Sequence, residues 1–478
     1  MEPATYPELP PEIWRNILRW YTADQDNNIM FIRDVNRLFY DVAMDHRFER
    51  LDLRDLNAGG AFELQRIRDP WLTKRLKWIC LSTWTLAQIL TEECYRSEHL
   101  LPSALQNPRD ETTHIIAPSS TVASMLAAPL IECLLDVLAS AKNLRKVVVE
   151  VRSPPQADFR CIAFPPKFLR AAFAQLACGA SASTTTLALR VDYEVLAMML
   201  DELALVQIRS LTELALVTEP REKERVEPIG RVKGQAFFEN LGQLPLESLR
   251  VFTKEKAVIA SQISSILDHN VILPSVRRLD IATTFDNLQQ IKSLRANYPS
   301  LTVLILHIIA PDSGSSVPLS ALDLPNLRDL RLSLKGAFDA PTFWSGHLNA
   351  PRLTQLTVTG ALGERMGPRK FQRTVLQICA FFASGAVKQV EIHAGVLERI
   401  LLDALAVAFP GLRRLHIRAS RIPEMARFEE EMGCCCYPEW DILELKVEVA
   451  TPPIGLGNVD AQVLAMIKSA LPQASGSS

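Results

Sequence analysis

The chain has 478 residues, with 52 Lys plus Arg against 54 Asp plus Glu and a formal net charge of −2. That length exceeds one compact core, so several domains or a repeat array is expected. A charge this close to zero excludes a general nucleic-acid binder, which needs a surplus of Lys and Arg to neutralise phosphates. The opening MEPATYPELP has neither a basic n-region nor an apolar h-region, so no secretory signal is expected. Nine cysteines, an odd number without framework spacing, point to reduced thiols in the cytoplasm or nucleus.

The first organised stretch runs from Leu9 to Leu53. A helix can start at Pro11, where a missing N–H costs nothing, and Glu12 in its first turn complements the dipole. Ile13, Trp14, Ile17, Leu18, Trp20 and Tyr21 cover an arc of roughly 160°, well beyond the roughly 100° stripe that one packed face requires. After the breaker Asp24-Gln25-Asp26-Asn27-Asn28, a second helix from about Ile29 to Met44 places Phe31, Ile32, Val35, Leu38, Phe39, Val42 and Ala43 on one face. Two short helices cannot enclose that much apolar surface, so the unit has to lean on the rest of the chain and on a partner.

These residues resemble the F-box, the adaptor-binding module of SCF-type (Skp/cullin/F-box) ubiquitin ligases. The likeness runs from Leu9-Pro10-x-Glu12-Ile13 through Ile17-Leu18 to Val35-Asn36-Arg37-Leu38-Phe39, Ala43 and Phe48, about a tenth of the chain. The resemblance implies that Leu9, Pro10, Ile13, Ile17 and Leu18 insert into a Skp-type adaptor, and through it reach a cullin scaffold. One departure is the turn before the second helix, which lacks the family's usual Pro or Leu dipeptide and leaves the docking of Ile29 and Met30 open. The competing reading is an ordinary helical hairpin that caps the next domain.

Beyond the hairpin, the apolar run Thr121–Ser140 is interrupted by Glu132 and Asp136, which suits a buried helix and not a membrane span. The architecture is decided by a recurring phrase, Pro-x-Leu-x-x-Leu-x-Leu. Val276, Leu279 and Ile281 follow Pro274; Leu301, Leu304 and Leu306 follow Pro299; Leu327, Leu330 and Leu332 follow Pro325; Leu353, Leu356 and Val358 follow Pro351; Leu412, Leu415 and Ile417 follow Pro410. Looser copies stand at Phe48, Leu76, Leu144, Leu187, Leu211, Leu246, Val387 and Ile442. Steps of 25 residues from 276 to 301, 26 to 327 and 26 to 353 fall in the leucine-rich-repeat range. The last two apolar positions lie on one face of a strand, and the proline ends the preceding helix. Helical spacing marks Phe285–Tyr298, Phe371–Phe382, Val396–Phe409 and Ala461–Leu471 as an outer layer.

The expected fold class is therefore α/β: a short N-terminal helical F-box over 1–50, an irregular leucine-rich-repeat-like solenoid with parallel strands and outer helices over 51–471, and a small, polar, disordered tail over 472–478. A doubly wound sheet is the competing architecture. This part resembles the irregular repeat regions that follow F-boxes in many fungal and animal proteins. The position that usually holds Asn or Cys reads Ile309, Lys335, Ala361 and Ser420, so uneven curvature is expected. Leu100–Ser120, Ser153–Pro166, Thr218–Lys233, Pro311–Pro318 and Ile422–Trp440 read as loops.

Catalytic constellations are weak, and neither a catalytic residue nor a metal or other cofactor is expected. Cys434-Cys435-Cys436 lacks the spacing that lets thiolates converge on one ion, and reads as free thiols in a loop. Glu429-Glu430-Glu431 reads as a solvated run. Residues alternating with the strand leucines form a column on the concave face: Arg278, Asp280, His307, Asp329, Arg331, Gln355, Thr357, Glu391, His393, Arg414, His416 and Arg418, cationic toward its C-terminal end. The same register exposes Phe252 and Ile305, apolar residues that suit a protein partner. The expectation is a non-enzymatic substrate-recognition subunit of an SCF-type ligase, without nucleic acid or membrane. The alternative is a repeat scaffold for protein assembly with no ubiquitin role.

Overall fold

The structure is a computed structural model that describes residues 10, 12–13, 16, 37–53, 58–82, 132–150, 166–178, 183–191, 196, 199–200, 203–218, 235–253, 272–284, 294–309, 322–335, 348–361, 368–422, 424–449 and 459–471. The chain divides into two compact units, Met1–Leu211 and Thr212–Ser478.

In the first unit, α1 (Arg37–Phe48) is followed by β1 (Arg50–Leu53), α2 (Ala58–Ile67), α3 (Pro70–Thr73), β2 (Trp78–Ser82), β3 (Lys146–Glu150), α4 (Pro166–Cys178) and β4 (Thr186–Val191). The four strands lie side by side in chain order, and each described neighbour pair is parallel, as in Arg50↔Trp78 and Trp78↔Lys146. The expected buried helix in Thr121–Ser140 is described over 132–140. Cys133, Leu134, Val137 and Leu138 face the core, while Asp136 turns outward to Arg68 at 2.5 Å. That division puts apolar positions at helical spacing inside and the carboxylates in water.

In the second unit, nine strands among the described residues follow one another in a single parallel sheet. They are β5 (Glu213–Thr218), β6 (Ser248–Thr253), β7 (Arg278–Thr284), β8 (Val303–Ile309), β10 (Asp329–Lys335), β12 (Gln355–Ala361), β13 (Gln389–Val396), β14 (Arg414–Arg421) and β15 (Glu444–Val449). A separate parallel pair, β9 (Leu322–Asp323) and β11 (Leu348–Asn349), runs between them. The outer layer holds α5 (Gln235–Leu241), α6 (Leu294–Asn297), α7 (Pro368–Phe381), α8 (Arg399–Ala408), α9 (Met425–Gly433) and α10 (Val459–Ser469). Parallel strands in sequential order, each returning through an outer segment, make each unit a solenoid-like repeat array in which neighbours bury one another's apolar faces. Among the described residues no helix is long and apolar enough to cross a membrane.

The repeated phrase has a more specific structural meaning than a helix stop. Its first apolar residue closes a four-residue turn: Val276, Leu301, Leu327, Leu353 and Leu412 donate their N–H groups to Leu273, Tyr298, Leu324, Ala350 and Phe409 at 3.3, 3.1, 3.1, 3.0 and 3.2 Å. The prolines at 274, 299, 325, 351 and 410 therefore sit at the second turn position, where a fixed φ near −65° is already correct and no N–H is needed. One step further, a single carbonyl serves two successive N–H groups of the next repeat. Arg277 O receives Thr302 and Val303, both at 2.9 Å, and Arg328 O receives Thr354 and Gln355 at 2.9 and 3.0 Å. Lys77 O receives Arg145 and Lys146 in the first unit in the same way. This shared acceptor locks register before each strand begins, and the two strand leucines then fill the core; Leu304, Leu356, Val390 and Ile417 are all fully buried.

Several expectations are corrected. Ile422–Trp440 is not a loop: α9 occupies its middle, because Met425, Phe428 and Met432 recur at helical spacing, with Phe428 and Met432 buried and Arg427 paired to Glu431 at 2.8 Å. Val396 belongs to β13, so the expected helix starts only at Arg399. The strands run on through Ile309, Lys335 and Ala361 and pair Lys335 with both of the others. In the last repeat the turn Tyr437-Pro438-Glu439-Trp440 delivers Trp440, 1% exposed, into the core. Ile442, the residue expected in that place, is half-buried. The bulk of an indole, with Nε1 donating to Phe409 O at 3.1 Å, accounts for the substitution.

Candidate functional site

At the N-terminal end, Pro10 and Ile13 are exposed, Ile13 at 44%. The Pro10 carbonyl accepts from the Ile13 N–H at 3.0 Å, the bond that opens a helix. Leu9, Ile17 and Leu18, named with them, lie outside the described residues. α1 is fastened to the segment before β2. Arg75, its side chain only 8% exposed, donates to Asp41 Oδ1 at 2.8 Å and Asp41 O at 3.0 Å, and pairs with Asp45. Its guanidinium lies 4.1 Å from the Trp71 ring centroid, and Trp71 stacks on Tyr40. The other side of α1 buries Ala43, Met44 and Phe48, with Arg47 bonded to Glu63 at 3.0 Å.

In the second unit, the positions between the strand leucines line up across the sheet. Pairing aligns Arg278, Val303, Asp329, Gln355, Gln389, Arg414 and Glu444 in one row. Asp280, Ile305, Arg331, Thr357, Glu391, His416 and Lys446 form the next. At the near end, Arg250 reaches Asp280 at 3.3 Å and lies 5.0 Å from the Phe252 ring. His307 Nε2 is 3.0 Å from Asp280 Oδ1 and meets Phe252 edge-on at 4.8 Å. Phe252 and His307 sit two strands apart, and small, fully buried Ala282 between them lets the rings meet over it.

Ile305 requires a correction. It occupies the expected row but is only 8% exposed, enclosed between its row neighbours Asp280 and Arg331. Arg331 is itself braced on Asp329 of its own strand at 2.8 Å. Asp280 and Thr357, each 7% exposed, are likewise more enclosed than alternation implies. Arg278 remains exposed, and Phe252 is half-buried.

The far end is not cationic. β15 contributes Glu444 and Glu448, which face the cations: Arg414 to Glu444 at 3.4 Å, Arg418 to Glu448 at 2.9 Å, and Lys446 to Glu448 at 2.5 Å. His416 stands between Glu391 at 3.6 Å and Glu448 at 3.5 Å. The hydrogen bond from Lys446, reinforced by Arg418, holds the Glu448 carboxyl below its usual range. Burial, then the Arg418 cation, pushes the His393 imidazole down, and its Nε2 is buried without a hydrogen-bond partner among the described residues. Sequence reasoning missed Glu444, Lys446 and Glu448, although they alternate with the recognised Leu445 and Val447. The surface is a lattice of compensated charges around imidazoles and one phenyl ring. Among the described residues no group of His, Cys, Asp and Glu is arranged to hold a metal ion.

These features define a class, the parallel-stranded α/β repeat protein. No protein-family model and no curated protein matches the chain. Among solved structures, a protein from Bacteroides fragilis is similar at 11% identity over 51% of this chain and 67% of its own, with a TM-score of 0.25; a likeness that low carries no argument.

Proposed function

We propose that the chain is the substrate-recognition subunit of an SCF-type E3 ubiquitin ligase. The N-terminal helices dock on a Skp-type adaptor and through it a cullin scaffold, and the repeat strands hold a target protein. The observation that carries the reading is the exposed apolar pair Pro10 and Ile13, set on a sequence that resembles the F-box and leads into α1, which is bonded to the first repeat. Such a subunit accelerates transfer by tethering, since holding a target near the conjugate replaces a bimolecular encounter. No bond-breaking residue is required of it.

The test is a pull-down with purified Skp-type adaptor. The wild-type chain is expected to be retained, and the combined change Leu9→Asp, Pro10→Asp and Ile17→Asp to abolish retention with the circular dichroism nearly unaltered. Retention of the triple variant, or none by the wild type, defeats the docking assignment and leaves the repeat scaffold without a ubiquitin role.

A further inference from the structure

The thiol triplet Cys434-Cys435-Cys436 stands where α9 ends and has no part in the proposed role. Cys434 is the C-terminal cap of the helix, with its N–H bonded to Met432 O. Cys434 and Cys436 are exposed and Cys435 is half-buried. The middle thiol is held: its Sγ donates to Glu431 O at 2.9 Å and its side chain meets that of Tyr437. Tyr437 in turn donates to Asp403 Oδ1 at 2.8 Å, and Asp403 receives Arg399 at 3.1 Å. The two outer thiols lie in water on either side of a fixed centre.

We propose that Cys434 and Cys436 form a modification site for low-molecular-weight disulfides of the glutathione class, and that reaction there closes an intramolecular disulfide. One outer thiolate attacks a sulfur of the small disulfide, forming a mixed disulfide and expelling one small thiolate, which takes up a proton. The other outer thiolate then attacks the protein sulfur of that mixed disulfide and expels the second small thiolate, which likewise takes up a proton. The two protein thiols together lose two electrons and two protons, and the small disulfide gains them. The second step is fast because its nucleophile is held at high effective concentration. Reach is not limiting: two residues span at most about 7 Å, and disulfides form with Cα atoms about 4.4–6.8 Å apart, so the length of chain between the outer cysteines does not prevent closure. The other described cysteines lack this combination. Cys80, Cys133 and Cys379 are buried, and Cys178 is exposed but stands alone.

The experiment treats the full chain with excess glutathione disulfide under native conditions, alkylates the remaining thiols and digests with trypsin. Cleavage after Arg427 and Lys446 isolates the triplet in one peptide. The expected product is that peptide two hydrogens lighter and alkylated only at Cys435, while Cys178 carries a glutathione adduct. Cys434→Ser and Cys436→Ser are each expected to trap the adduct on the remaining outer cysteine, and Cys435→Ser to close the disulfide as before. The proposal is overturned by adducts alone in the wild type, by a disulfide that includes Cys435, or by an unmodified triplet whether or not Cys178 reacts.

Discussion

Gly360 in β12 shows how closely a single position is packed. A Cβ added there would lie 2.3 Å from both Cε2 and Cζ of Phe371, and that ring is 1% exposed in α7. Overpacking of this kind costs about 1–3 kcal/mol. Gly360→Ala is expected to lower the urea midpoint accordingly, with Phe371→Leu in the same chain recovering part of the loss. Simple additivity of the two changes would show that the close approach is not what limits the site. The His393 side chain also bonds to the Gly360 backbone, and its Nε2 is buried. Burial lowers the imidazole pKa in the folded chain, whereas the unfolded chain titrates near about 6.5. As pH falls through that value the unfolded chain binds a proton that the folded chain still refuses, so stability is lost on acidification and is intact above it. Urea midpoints at neutral and mildly acidic pH are expected to separate more for the wild type than for His393→Gln; equal separations would remove His393 from the acid response.

At the scale of the element, the repeat phrase was legible because each part of it is local. A turn proline needs only its own φ, and a leucine two positions from another shares its strand face whatever surrounds it. The two kinds of residue differ in weight. Leu330, 2% exposed in β10, is expected to cost about 2–5 kcal/mol on replacement by Ala. Pro299→Ala is expected to cost only about 0.4–1 kcal/mol, since it mainly frees the unfolded chain. Denaturant titration of both variants checks the order, and a reversed order would mean that the turns, not the leucine layers, hold the array. The misreadings at this scale have one cause each. α9 was hidden by Glu429-Glu430-Glu431, which looks like a solvated run until Phe428 and Met432 are set on its other face. The rows of the open strand face followed from the period of two, yet the enclosure of Ile305 depends on Asp280 and Arg331 from neighbouring strands. Likewise the balance of Arg414 and Arg418 depends on β15. Those partners are distant in sequence, so no local pattern announces them.

For the molecule as a whole, the proposed receptor role needs the adaptor-binding helices to keep a set orientation on the first repeat, because tethering gains rate only when the target arrives within reach. Arg75 is placed to set it. Its guanidinium joins the backbone and carboxylate of Asp41, the carboxylate of Asp45 and the face of Trp71, while its Nε is buried without a partner among the described residues. Asp41 and Asp45 are 44% and 56% exposed, so water takes up their charge when the cation is removed, and pairs with exposed partners contribute little. Arg75→Met should therefore melt within a few degrees of the wild type, yet α1 loses the directional bonds that fix its angle. Hydrogen exchange at the amides of Arg37–Phe48 is expected to quicken, adaptor retention to persist, and ubiquitin transfer to a bound target to fall. Unchanged exchange in α1 would show that Ala43, Met44 and Phe48, packed on its other side, fix the helix without the ionic contacts. Faster exchange with undiminished transfer would show instead that the reaction tolerates a loose joint, so that proximity alone, and not orientation, sets the rate.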